Sequence, residues 1–404
     1  MLNAADCGQV LVIAPKRVVR QWAWEARKWP FSASLVISSY VGSPPERRRA
    51  VEAPSDVLVV SFEHLEELVR RYPAASWPFG LVVFDEASRL RNGGRQGSKT
   101  WKIVDSISRQ TNARILLMSG SPRPGSGHEL FAPVFLLDRG ERLGRTLTAF
   151  REQWCEPASV DRRTGQVWRW ELKPGREPLL YKALASVMRV CNPDLGLESI
   201  EIDRLVELPA GVMRQYKALA RDQVIDVDDL ELSAGSEGVL AGKLHQMAQG
   251  AVFSEDRSVA DVHREKLDEL EGLVEELDEP VIICYWYTHD LARLKLLFPR
   301  GRTLDTERDI KDAREGLINV LFLHPASAGH GIDGLQRVYS ALIWYCLPHS
   351  FELYEQACAR MVRIGRVGTA RIYRLIAVGT IDERIVQRLE EKRQGQNRLF
   401  EALA

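Results

Sequence analysis

The chain has 404 residues, of which 45% are hydrophobic, with 55 Lys and Arg balanced by 55 Asp and Glu. That length suggests two or three domains, and a net charge of zero excludes nucleic-acid binding by bulk charge, so any such role rests on local patches. Six scattered cysteines without a C-x-x-C pair exclude a zinc ribbon and fit a reduced, cytoplasmic compartment; no apolar run reaches membrane-spanning length, and the opening MLNAADCGQ lacks the regions of a signal peptide.

In chain order, Val10–Ala14 reads as a buried strand ending at Pro15-Lys16-Arg17, and 18–29 has helical periodicity with Trp22 and Trp24 early in it. Short strands follow at Leu35–Ser38 and Val57–Val60, then a helix around Leu65 and Leu68. Leu81–Phe84 are four apolar residues in a row, as expected for a strand of a parallel sheet, and they stop on Asp85-Glu86. Alone, Asp-Glu is an acidic turn. At the carboxyl end of a buried strand, where open α/β sheets hold ligands, Asp85 can hold Mg²⁺ and Glu86 can orient or deprotonate an attacking water. A helix is expected from about Ser98 to Ser108, and a strand at Arg114–Met118 ends in Ser119-Gly120-Ser121-Pro122, whose hydroxyls stand ready to sense a phosphate. Strand and helix alternate throughout, which predicts a parallel sheet with helices on both faces.

The pattern weakens from 125 to 200, read as a helical and irregular insertion in which Trp154, Trp168 and Trp170 are packing residues. Beyond it, a strand at Arg204–Leu208 and helices at 212–220, 240–251 and 266–277 precede a second α/β series. Its strands are expected at Val281–Tyr285, Asn319–Leu323, Ala341–Tyr345 and Arg371–Ile376. Thr380 and Glu383 have the spacing of a capping box for a last helix burying Ile381, Ile385 and Leu389. Gln356, Arg360 and Arg363 are spaced by four and three. A helix ended by Gly365 would put them on one face, where two guanidiniums suit a polyphosphate. The loop Ser327 to Asp333, with Gly329 and Gly331, can approach a phosphate or a nucleic-acid backbone closely.

Seven segments, in order, resemble helicase superfamily two, specifically the Swi/Snf-type (DEAD/DEAH-like) ATPases and their compact phage-type members. They are VLVIAPKRVVRQW, DVLVVSFEHL, VVFDEASRLRN, LLMSGSP, VIICYWY, HPASAGHGID and QACARMVRIGR. The resemblance implies an α/β fold of two RecA-like lobes, residues 1–202 (with the insertion at about 125–200) and 203–404, with ATP bound between them. Carried over by position, Asp85 acts on Mg²⁺ through water and Glu86 on the attacking water, Arg363 is the arginine finger and Arg360 its companion. Ser119, Gly120, Ser121, Pro122 and Gln356 couple the nucleotide to movement. Lys16, Arg17, Ser61, Arg89, Arg91, Ser327, Gly329 and Gly331 line the nucleic-acid track. The implied partner is duplex DNA, held without sequence readout.

The pattern departs from the family at several places. No G-x-x-x-x-G-K-[ST] loop occurs in these residues, so the first lobe is expected to lack its opening strand and P-loop, which another polypeptide would supply. Ser88 stands where His is common, Asp333 where Asn is usual and Arg366 where Gln is usual. Two readings follow: an ATP-driven DNA translocase whose phosphate loop lies elsewhere, and a non-hydrolysing relic that clamps DNA or a partner.

Overall fold

The computed structural model describes residues 8–72, 74–93, 97–123, 125–160, 165–191, 197–221, 236–254, 258–328 and 333–403. It divides into two compact units, Met1–Cys191 together with Gly395–Ala404, and Asn192–Gln394. Each is built on one five-stranded parallel sheet, as two RecA-like lobes require.

In the first unit the strands are β1 (Gln9–Ala14), β2 (Ile37–Tyr40), β3 (Val57–Ser61), β4 (Phe79–Phe84) and β5 (Arg114–Leu117), in spatial order β2-β3-β1-β4-β5. Every residue of β3 is buried, and β1 and β4 are buried over their last four. Alternate side chains feed two cores: Leu11, Ile13, Leu58, Val60, Val82 and Phe84 on one face, Val12, Val57, Val59, Leu81 and Val83 on the other. That is why these strands read as unbroken apolar runs. Strand β2 begins two residues later than its apolar pattern suggests. The Leu35 amide is turned back to the Ser32 carbonyl (3.1 Å), and the Val36 amide donates to Asp56 Oδ2 (2.8 Å). Helix α1 (Val19–Ala26) connects β1 to β2, α2 (Pro44–Glu52) connects β2 to β3, and α3 (Leu65–Arg71) and α4 (Lys99–Gln110) flank β4.

The insertion read as helical and irregular is largely helical among the described residues, with one hairpin. It holds α5 (Phe131–Asp138), α6 (Leu147–Trp154), an antiparallel hairpin of β6 (Cys155–Val160) and β7 (Val167–Leu172), and α7 (Glu177–Leu184). Trp154 is buried in the first unit's core and Trp170 packs against it, whereas the Trp168 side chain lies outside the described set. Leu399 and Leu403, near the end of the chain, belong to the same core.

The second unit has β8 (Ser199–Val206), the short pair β9 (Ala251–Phe253) and β10 (Val259–Asp261), and β11 (Val281–Cys284), β12 (Val320–Leu323), β13 (Ala341–Trp344) and β14 (Ala370–Ala377). Its main sheet runs β12-β11-β13-β14-β8. The expected boundary at 202/203 is corrected, because it falls inside β8. That strand pairs with β14 over its full length, from Ser199–Ala370 to Val206–Ala377, which assigns all of it to the second sheet. Helices α8 (Ala210–Arg221), α9 (Ser236–Gln249), α10 (Glu265–Leu277), α11 (Thr288–Leu297), α12 (Glu307–Arg314), α13 (Pro325–Ala328) and α14 (Phe351–Cys358) surround it, and α15 (Ile381–Leu403) begins there. As expected, Ile381, Ile385 and Leu389 are buried; Thr380 Oγ1 accepts the Asp382 amide at 3.3 Å, two residues on instead of the three of a capping box, and satisfies one orphan donor of α15.

The start of α15 is fixed by a fully buried ion pair. Lys266 Nζ donates to Asp382 Oδ2 (2.5 Å), Gln249 Oε1 (2.7 Å) and the Tyr345 carbonyl (3.2 Å). Asp382 also accepts from Gln249 Nε2 and the Ala377 amide, both at 3.1 Å. Burial alone pushes the Asp382 carboxyl up, but the Lys266 charge and hydrogen bonds outweigh it and hold the group below its ordinary value.

Candidate functional site

From β1 the chain runs outward to β2 and returns through β3 on one side, then crosses to β4 on the other, so the first sheet has its topological switch between β1 and β4. Ligands of open α/β sheets bind outside the carboxyl ends of strands at such a point. The sequence delivers Pro15-Lys16-Arg17, Asp85-Glu86 and Ser119–Pro122 to that edge, because β1, β4 and β5 are parallel neighbours in register. Backbone bonds bring the three ends together. The Asp85 amide donates to the Ile13 carbonyl (2.9 Å), Met118 N–H to Phe84 C=O (2.8 Å), and Ala87 N–H to Met118 C=O (2.8 Å).

Glu86 has φ +61, a left-handed conformation unusual for a non-glycine residue. Such a backbone costs on the order of 1–3 kcal/mol and persists where the surroundings enforce it, commonly at functional sites. Here it turns the chain sharply from β4 into the short 3₁₀ helix Ala87–Leu90. Asp85 is half-buried, and burial pushes its carboxyl up, opposed by hydrogen bonds from the Trp22 side chain and the Glu86 amide. Trp22, on α1, was legible in the sequence only as a helix residue, yet it is one of the groups that oppose the rise of the first carboxylate.

Lys16 and Arg17 are exposed in the turn after β1, available to an anion. Ser61 is not: it is fully buried at the end of β3, and its hydroxyl is engaged with His64 Nδ1 at 2.9 Å. Arg89 is exposed, with its guanidinium 4.8 Å from the Phe62 ring, and Arg91 is half-buried. In the Ser119–Pro122 turn Gly120 is exposed and Ser121 buried, its amide donating to Ser119 Oγ at 3.2 Å. The next residue, Arg123, had no sequence signal. It is buried and joined to Glu177, the Tyr181 hydroxyl and the Gly395 carbonyl, which anchors the turn to α7 and the end of the chain.

In the second unit the single-helix expectation for Gln356, Arg360 and Arg363 is corrected. Helix α14 ends at Cys358, and only Gln356 lies within it. The chain then tightens: the Arg360 amide bonds back three residues to Ala357 and Met361 to Cys358, and Gly365 turns at φ +90. Arg363 faces Asp333, with a 3.1 Å contact from guanidinium to carboxylate. Arg366 is buried and donates to the carbonyls of Tyr339, Ser340, Gly368 and Thr369 at 2.8–3.1 Å, so it closes this turn onto the residues before β13. Ser327 is half-buried in α13; Gly329 and Gly331 lie outside the described residues.

The family described as "SNF2-related domain" matches residues 3–220. The chain belongs to this family. Protein p41 of Acyrthosiphon pisum secondary endosymbiont phage 1 is 31% identical over all of this chain and 90% of its own length. A chicken (Gallus gallus) DNA repair and recombination protein RAD54-like is 24% identical over 95% of this chain and 58% of its own. An uncharacterized ATP-dependent helicase of Bacillus subtilis, YqhH, is 22% identical over 95% of this chain and 69% of its own. The chain therefore spans most of the phage protein but little more than half of the chicken one. Family membership makes it a Swi/Snf-type, helicase-related ATPase domain, and among the described residues no helix is long and apolar enough to cross a membrane.

Proposed function

We propose that these residues form most of an ATP-driven machine that moves along or remodels duplex DNA without reading its sequence. The observation that carries the reading is the gathering of Asp85-Glu86, Lys16-Arg17 and Ser119–Pro122 at the switch point of one sheet. The first unit would contribute Asp85 to a Mg²⁺–ATP complex and Glu86 to the attacking water. The second would contribute Arg363, with Arg360 beside it. A half-buried carboxylate disfavoured in its charged form by burial suits a divalent cation. When bound, Mg²⁺ neutralises phosphate charge. The exposed Lys16 and Arg17 meet DNA phosphates, and Ser119–Pro122 passes the nucleotide state onward through Arg123.

The phosphate-cradling loop is proposed to come from outside these 404 residues, in a longer form of the chain or in another polypeptide. The test measures DNA binding and ATP turnover separately. Residues 1–404 are expected to bind blunt duplex DNA in a salt-dependent way, weakened across all sequences by Lys16→Glu or Arg17→Glu. Turnover is expected to stay low until a segment carrying the G-x-x-x-x-G-K-[ST] loop is supplied. Turnover by residues 1–404 alone that is abolished by Arg363→Ala contradicts the need for that loop. The second reading is a non-hydrolysing clamp. It prevails if DNA binds but turnover stays absent with the loop supplied.

A further inference from the structure

Helix α1 and the turn after it form a surface that the duplex-DNA reading leaves unused. Trp24, Trp29 and Phe31 are 54%, 55% and 70% exposed. Clustered exposed aromatics of this size mark interaction sites more often than chance placement. They are also ordered. The amides of Ser32 and Ala33 both donate to the Trp29 carbonyl (3.0 and 2.9 Å), and Ser32 Oγ donates to the Ala26 carbonyl at 2.8 Å. The Trp29 and Phe31 rings lie 6.0 Å apart, tilted by 32°. Lys28 Nζ sits 3.4 Å from the centre of the Trp24 ring, so one face of that ring is taken and the other two aromatics present the open platform.

The surrounding charge selects the ligand. The chain as a whole is neutral, yet residues 16–31 hold Lys16, Arg17, Arg20, Arg27 and Lys28 against the single acid Glu25; Lys28 pairs with Glu25 (3.0 Å) and Arg20 lies 3.9 Å from Glu46, which leaves Lys16, Arg17 and Arg27 as the cations outside those pairs. A polyanion fits this stretch better than an acid-neutral protein face does. Rings interleaved with cations have little to grip on intact duplex, whose bases are stacked inside. Unpaired bases stack on them freely while the cations follow the backbone.

We propose that Trp29 and Phe31 are a stacking platform for single-stranded DNA, continuous with the phosphate contacts of Lys16 and Arg17. The surface would hold an unpaired strand next to the duplex track. Trp22, the α1 side chain that bears on the Asp85 carboxyl, precedes Trp29 and Phe31, which lie in the turn after that helix.

The experiment uses the full chain, nucleotide-free, with labelled oligo(dT) of about 15 nucleotides, spanning the usual length of such a site, and blunt duplex as a second probe. Wild type is expected to bind oligo(dT) with quenching of tryptophan emission. Trp29→Ala and Phe31→Ala are each expected to weaken oligo(dT) by about tenfold, within the range for losing one stacked base. Blunt-duplex binding should stay within about twofold, as expected when phosphate contacts are untouched. Trp29→Phe keeps a ring and should retain binding while losing the quench. Both substituted side chains are exposed, and circular dichroism checks that the variants fold. The proposal is overturned if both alanine variants bind oligo(dT) like wild type, or if wild type binds duplex but not oligo(dT); the latter leaves the duplex reading intact. Self-association lost in the variants with oligo(dT) binding unchanged would assign the surface to protein contact instead.

Discussion

Replacing Lys266 by Met tests how the second unit is held together. Lys266 and Asp382 have no exposed surface, and the pair ties α10 to the first turn of α15 and to the end of β14. Removing the cation leaves Asp382 ionised and dry, with Gln249 Nε2 and the Ala377 amide as its hydrogen-bond donors among the described residues. Breaking a buried pair from one side costs about 3–5 kcal/mol. For a domain near 200 residues each kcal/mol lowers the midpoint by about 2–4 °C, so the second unit should melt roughly 10 °C earlier. The double variant Lys266→Met/Asp382→Asn removes both charges and keeps an acceptor for the Ala377 amide. It should cost less than the sum of its singles by about 2 kcal/mol, the coupling expected of residues in contact. The sign with pH follows from the depressed Asp382 carboxyl. Its contribution is present above the unfolded pKa and is lost as pH falls through the folded one, so the penalty of Lys266→Met should shrink in acid. Calorimetry, with hydrogen exchange at the β14 and α15 amides to identify the unit, is the assay. Additive singles, or a cost for Lys266→Met of about 1 kcal/mol or less, the size of an exposed pair, would refute the reasoning.

Asp85→Asn should stabilise the first unit at neutral pH. Burial raises this carboxyl in the folded chain, so its contribution is full below the unfolded pKa and lost as pH rises through the folded one; thermal melts at pH 7 check it, and an unchanged or lower midpoint counts against the burial argument. Acidification should unfold the second unit before the first. Burial holds His245 at about 3 and His349 at about 4 there, with His263 and His324 also lowered, against His128 at about 4 and a lowered His64 in the first. Stability from these groups is present above pH 6.5 and falls below it, by roughly 3 kcal/mol per pH unit for two histidines and half that for one. Urea midpoints of the two transitions between pH 7 and 5 read the difference. Arg366→Gln should cost about 1–3 kcal/mol, because four carbonyls lose a shared charged donor and glutamine can replace only part of it; a loss below about 0.5 kcal/mol in denaturant titration would mean that the turn re-satisfies itself.

The strands that build both sheets were legible because burial on two faces forces apolar runs, as at Val57–Val60 and Leu81–Phe84, and a carboxylate pair ending such a run is visible without coordinates. The helical placement of Arg360 and Arg363 failed for a local reason. Spacing by four and three is compatible with a helix but does not enforce one, and three-residue back-bonds after Cys358 ended it first. Ser61 has the composition of a surface hydroxyl; only the pairing of β3 with β1 reveals that it is sealed beside His64.

Pattern alone therefore determined the parallel α/β class, the order of the motifs and the acidic strand end, all of which depend on residues close in sequence. Tertiary structure decided which polar groups are spent inside the fold, as with Ser61, Arg123 and Arg366, and which remain outside, as with Lys16, Trp29 and Phe31. The physical reason is that a side chain's solvation and partners are set by residues tens to hundreds of positions away, whereas its rotational period is set by its immediate neighbours.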